Sequence, residues 1–173
     1  MMRTDVIPVT ADNPQLAFAV YRGFTKQDIR TMFYDGAARS FTEFLDLTAR
    51  VDLHFWAIQW DNELIGMLYS SYHSNQSCMF HQGVFGRFRG ITAVKAFREA
   101  LTILGRTELY DQVTLIGVTP AAYPGAVKMA KLCGFKEVGK IPNMLYDVYD
   151  EVSMDAVLTY FIGGKADGVA EKV

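Results

Sequence analysis

The apolar period of this chain changes to that of strands in its middle and then returns to helical, and that change limits the folds open to it. Leu53–Trp60, Glu63–Tyr72 and Ser77–Phe85 are three runs rich in aromatic and other strand-compatible residues. Asp61-Asn62 separates the first two, and both residue types tolerate the left-handed backbone of a tight hairpin turn. The polar stretch His73–Gln76 separates the second run from the third. This spacing predicts an antiparallel meander. Then Ile91, Val94, Phe97, Leu101 and Leu104 recur at steps of three and four residues, one face of a helix that Gly105 closes. A sheet followed by an amphipathic helix must bury the helix against one of its faces.

The flanking segments extend this pattern. Val6–Val9 reads as a short strand, and Pro8, which lacks an N–H, belongs at a sheet edge. Asn13-Pro14, Thr25 with Asp28, and Ser40 with Glu43 are helix-start signals. Beyond the amphipathic helix, Gln112–Val118 reads as a central strand ended by Thr119-Pro120. Pro124–Cys133 reads as a helix capped by Gly134, and Phe135–Ile141 and Ala156–Phe161 as two last strands. The expected fold is α/β (α+β): a mixed, mostly antiparallel sheet of six to seven strands with helices on both faces. One domain is expected over residues 1–162, with a flexible C-terminal tail over 163–173.

Charge and composition narrow the function. The net charge of -2 argues against a broad basic surface for nucleic acid. No apolar run approaches the roughly 20 residues a membrane helix needs, and the start MMRTDVIPV lacks the apolar stretch of a secretory signal. Cys78 and Cys133 each lie in an apolar stretch without ligand partners nearby, so both are expected as buried thiols and no metal is expected. The expected location is cytoplasmic.

The segment G-R-F-R-G-I-T, Gly86–Thr92, joins the third meander strand to the amphipathic helix. A helix start leaves backbone N–H groups unpaired, and its dipole adds positive potential. Glycine lets an anion approach the backbone, while Arg87 and Arg89 add charge and Thr92 a hydroxyl. These residues suit an anion site. They also suit a plain strand-to-helix loop with two solvated arginines. Neither a Walker loop nor a G-x-G-x-x-G turn is present.

Arg87-Phe88-Arg89-Gly90-Ile91-Thr92 resembles the Q/R-x-x-G-x-G/A signature of the GNAT acyltransferases, with Thr92 in place of a small last residue. The resemblance continues through the helix Ile91–Leu104, the strand Gln112–Val118 and the stretch A-K-L-C-G-F-K-E-V-G, which is similar to the family's closing motif. It implies acetyl-coenzyme A as cosubstrate, with the pyrophosphate on backbone amides from Phe88 to Thr92. The pantetheine arm would enter a cleft between strands ending near Val84 and Val118, with Gly83 and Gly117 relieving crowding there. The cofactor-binding set is then Val84, Arg87, Phe88, Arg89, Gly90, Ile91 and Thr92. The implied reaction is direct attack by a small-molecule or protein amine on the thioester.

One position departs from the family pattern. The tyrosine that protonates the departing thiolate in many members corresponds here to Ala130, and the frequent asparagine at the start of that helix corresponds to Tyr123. His81, on the strand leading into the loop, is the candidate base; Tyr123 is the candidate acid. Their alternative readings are a packed histidine and an exposed aromatic. Tyr146, Asp147, Tyr149, Asp150 and Glu151 form an acidic, aromatic turn, either a greeting site for a cationic amine or a solvated hairpin tip. The missing tyrosine also leaves a second function open: a non-catalytic structural protein on the same fold, such as a phage internal virion protein. A homodimer or a virion assembly is compatible with either.

Overall fold

The computed structural model describes residues 3–107, 109–111 and 113–163. Strand β1 (Thr4–Val9) is followed by helices α1 (Pro14–Gly23), α2 (Lys26–Met32) and α3 (Phe41–Thr48). The meander is β2 (His54–Trp60), β3 (Glu63–Ser71) and β4 (Ser77–Val84). A single 3-10 turn (Gly86–Phe88) leads to α4 (Ile91–Leu104), then β5 (Thr114–Pro120), α5 (Pro124–Leu132), β6 (Lys136–Asp147) and β7 (Val152–Ile162).

Seven strands form one sheet in the order β1-β2-β3-β4-β5-β7-β6. Every pairing is antiparallel except β4 with β5, so the expected mixed, mostly antiparallel sheet is present. Pro8 sits on the edge strand β1, where its missing N–H breaks no ladder. Asp61 and Asn62 have φ of 53° and 67°, the left-handed pair that closes the β2–β3 hairpin. Asn13 accepts from the Leu16 N–H at 3.2 Å, and Thr25–Asp28 and Ser40–Glu43 both close as capping boxes. Each such cap is worth about 1 kcal/mol.

Alternation along the strands divides the core in two. Phe55, Ala57, Met67, Tyr69 and Phe85 face α1–α3 and pack with Val20, Phe24, Ile29, Phe33 and Phe44. Trp56, Leu68, Cys78, Phe80 and Leu115 face the other way and pack with Phe97, Leu101 and Leu104 of α4 and Ala130 and Cys133 of α5. Fully buried side chains such as Phe97 and Leu101 each contribute roughly 2–3 kcal/mol of transfer free energy. Helices therefore cover both faces, as expected.

Three boundaries differ from the sequence reading. β5 runs through Thr119 to Pro120, because its carbonyls and amides pair with β7 as far as Pro120–Ala156. β6 and β7 are longer than expected, reaching Asp147 and starting at Val152. Pro142 and the exposed pattern of β6 hid that length, since an edge strand with one solvated face needs little apolar alternation. Gly163, expected to open the tail, is buried and donates to the Val113 carbonyl at 2.9 Å. Gln112 and residues 164–173, which hold one expected strand start and the remainder of the expected tail, lie outside the described residues. Among the described residues no helix is long and apolar enough to cross a membrane.

Candidate active site

β4 and β5 are neighbours over three residue pairs only: Ser77–Thr114, Cys78–Leu115 and Met79–Ile116. Beyond Met79, β4 stays with β3 through the pair Gly66–Val84, while β5 stays with β7. The strands part toward their C-terminal ends, so backbone groups of both face a gap. Two glycines permit this. Phe24 and Met32 pack directly over Gly83, where a Cβ would collide with them. Thr159 of β7 packs against Gly117 in the same way, so β5 is held toward β7.

The gap is a cleft of about 690 Å³ that reaches both faces of the sheet. On one side it is lined by Phe24, Asp28, Met32 and Tyr34; on the other by Ala126, Met129 and Ala130 of α5. Val84 and Val118 line it as well, which is where the resemblance placed a cleft.

At its α4 end the cleft meets Arg89, Gly90 and Ile91. Gly90 has φ +120° and ψ -157°, a conformation that costs any side-chain-bearing residue, and no atom lies within 4 Å of a Cβ placed there. The first intrahelical bond of α4 runs from Val94 N–H to Gly90 C=O at 3.2 Å. The N–H groups of Ile91, Thr92 and Ala93 precede it and make no helical bond. This bare helix start, with the dipole behind it, is an anion-binding geometry.

Of the seven residues expected to hold a cofactor, Val84, Arg89, Gly90 and Ile91 line the cleft, and Arg87, Phe88 and Thr92 do not. The Phe88 N–H donates to the Phe85 carbonyl at 2.9 Å inside the 3-10 turn, so the free amides begin after it. Its ring packs against both cores, and the Arg87 guanidinium lies 4.7 Å from the ring centroid. Thr92 is exposed on the first turn of α4. Arg89 reaches across the mouth to Asp28 of α2 at 3.1 Å; its side chain is 71% exposed and that of Asp28 15%. Asp28 also accepts from the Thr25 N–H, so one carboxylate ties the α2 start to the loop.

Both candidate catalytic residues line this same cleft. His81 is half-buried on the α1–α3 face of β4, directly across from Tyr69 of β3. The two rings stack at 4.3 Å with planes 7° apart. Burial lowers the His81 pKa to about 4, so the ring is neutral at physiological pH. Such a ring accepts a proton weakly, which works against a general-base role. Tyr123 is the N-cap residue of α5 and makes no side-chain cap bond. Ala130 lies about two turns further along α5, buried and in the cleft wall.

Sequence reasoning missed polar lining residues, among them Gln82, Asp28 and Lys128. Gln82 points to the α4–α5 side of β4, and its buried Oε1 has no hydrogen-bond partner among the described residues. Asp28 was read as a cap and Lys128 not at all, yet both reach the cleft. Helical spacing in α5 places Lys128 on one face with the lining residues Gly125 and Leu132, a signal present in the sequence.

The remaining histidines, the cysteines and the acidic turn lie elsewhere. His54 and His73 meet edge to face at 4.8 Å outside the cleft, and His73 Nε2 is 3.0 Å from Ser70 Oγ. Cys78 and Cys133 are free and buried, with pKa pushed up to about 11 and about 12 by burial. That leaves Cys78 an inert thiol. The acidic turn is not a bare solvated tip. Asp147 is 3% exposed and accepts from the Tyr149 and Asp150 N–H groups, Asp150 pairs with Arg30, and Arg30 also lies over the Tyr149 ring. Arg30 of α2 thus meets two of the three carboxylates of the turn, Asp147 and Asp150. Among the described residues no group of three or more metal-ligating side chains converges.

No protein-family model and no curated protein matches the sequence. Solved structures do match the fold. A probable acetyltransferase of the GNAT family from Chromobacterium violaceum superimposes with a TM-score of 0.72 at 13% identity, covering 93% of this chain and 83% of that one. A spermidine N-acetyltransferase from Vibrio cholerae, in complex with CoA and spermine, gives 0.67 at 16% identity over 94% and 96%. A ribosomal alpha-N-protein acetyltransferase in complex with coenzyme A gives 0.70 at 13% over 93% and 94%. The fold of this chain is the GNAT fold.

Proposed function

We propose that this protein is an acetyl-coenzyme A-dependent N-acetyltransferase acting on an amine. The observation that carries the reading is the parting of β4 from β5 into a cleft that ends at the bare start of α4. The gap exposes strand backbone to a linear amide-bearing arm, and the α4 amides with Arg89 suit a pyrophosphate. Two of the similar structures carry coenzyme A, which supports the same cosubstrate here. Among this chain's residues, Val84, Gly90 and Ile91 would border the cofactor. Binding would also compete with Asp28 for Arg89.

In this reading the amine enters from the α1–α2 side, and its nitrogen attacks the thioester carbonyl carbon. The C–S bond breaks, the thiolate takes a proton from Tyr123, and the amine proton leaves through His81 or water. Because His81 is neutral and weakly basic, orientation of the two substrates supplies the larger share of the rate. A cytoplasmic location goes with this reading, supported by two free, buried thiols.

Calorimetry with acetyl-coenzyme A tests the cofactor, and thiol release with an amine panel tests the reaction. Saturable binding is expected in wild type, with Tyr123→Phe lowering kcat about 10²-fold at unchanged coenzyme A affinity. Absence of binding would overturn the reading and favour a fold kept for assembly, as in the virion-protein alternative.

A further inference from the structure

Flat rings form a ladder across the sheet. Phe55 of β2 and Tyr69 of β3 are paired residues whose rings stack at 5.1 Å and 20°. Tyr69 and His81 of β4 are paired in turn, stacking at 4.3 Å and 7°. In an unbroken sheet the next rung would stand on β5. But β4 and β5 share no pair beyond Met79–Ile116, so the ladder stops at His81, which lines the cleft. Tyr69 is the one ring neighbour of His81 among the described residues.

The walls around that missing rung are apolar and aromatic. Phe24 and Met32 lie over Gly83, two residues along β4, and Tyr34 completes the same side. A methionine sulfur beside a ring is a favourable, adaptable contact. Charge is scarce. The cleft lining holds one carboxylate, Asp28, which is engaged by Arg89, and two cations, Arg89 and Lys128. Among the described residues a polycationic acceptor finds no free carboxylate there.

We propose that the acceptor half of the cleft takes a primary amine bearing a planar aromatic group, which stacks on the open face of His81 as the next rung after Phe55, Tyr69 and His81. The inference deepens the acetyltransferase reading and rests on it for the amine, while the aromatic part follows from the ladder alone. A neutral imidazole between two rings suits this role, since a charged one would carry its desolvation cost into the stack.

The test is binding of three amines to the protein saturated with coenzyme A, followed by calorimetry: 2-phenylethylamine, 2-cyclohexylethylamine and spermidine. The aromatic amine is expected to bind roughly three- to tenfold tighter than its saturated counterpart, with spermidine weakest. His81→Phe keeps a flat ring and should keep the preference; His81→Ala should abolish it. Both should bind coenzyme A as wild type does, which also reports that they fold. His81→Tyr is the second platform variant if His81→Phe does not fold. Equal binding of the phenyl and cyclohexyl amines, tightest binding of spermidine, or loss of the preference in the flat-ring variants would overturn the proposal. If wild type binds no coenzyme A, the acetyltransferase reading fails instead, and the same titrations on the apo protein still decide the ladder.

Discussion

The two sides of the cleft are built on different principles. The α4 side is made of backbone: a glycine in a conformation closed to other residues, three unbonded amides and a helix dipole, all within Arg89–Ala93. The α1–α2 side is made of side chains from β3, β4, α2 and the residues flanking α2, Phe24 and Tyr34, far apart in sequence, which meet only because the strands align them. A local backbone device tolerates change around it but not at its glycine. A side-chain assembly spreads its energy over many contacts, so each replacement should be felt in proportion to what it packs against.

Gly90→Val should separate the sides most sharply. A β-branched residue at φ +120° costs roughly 1–3 kcal/mol of backbone strain and puts bulk where an anion would approach. Coenzyme A affinity is expected to fall at least tenfold, roughly, while amine binding to the apo protein is retained. Wild-type coenzyme A affinity in this variant, measured by calorimetry, would put the anion site elsewhere.

A somewhat smaller effect tests the side-chain half through pH. His81 has its folded pKa lowered to about 4 from an ordinary value of 6.5. Below 6.5 the unfolded chain takes up a proton that the folded protein refuses, so the folded state loses stability as pH falls from about 6.5 to about 4. The loss is on the order of a few kcal/mol. His81→Phe should flatten that part of the curve in urea unfolding followed across pH. An unchanged slope would mean that another group governs it.

The smallest expected effect lies where the two sides meet. Gln82 carries a buried carboxamide oxygen without a partner among the described residues, a group that costs roughly 1–3 kcal/mol when unmet. Gln82→Met removes it at similar volume. The apo protein should melt a few degrees higher, and its coenzyme A affinity should fall a few-fold if that oxygen serves an amide of the bound arm. A lower melting temperature would instead make Gln82 a structural residue.

Much of this molecule is written in local order. The hairpin at Asp61-Asn62, the capping boxes at Thr25 and Ser40, the edge position of Pro8 and the stripe of α4 each depend on neighbours within a few residues, so spacing alone reveals them. The glycine turn at the start of α4 is legible for the same reason, because a helix start and a glycine are both local facts. Tertiary structure decided what depends on pairing. It set the point where β4 leaves β5, gave β6 its full length, joined Asp28 to Arg89, and left His81 as the last ring of a stack with its proton affinity lowered by burial. Alternation along β4 puts His81 on the face with Gly83 and Phe85. Only the register of β3 against β4 brought Tyr69 beside it, because a side chain's dielectric surroundings are supplied by residues distant along the chain.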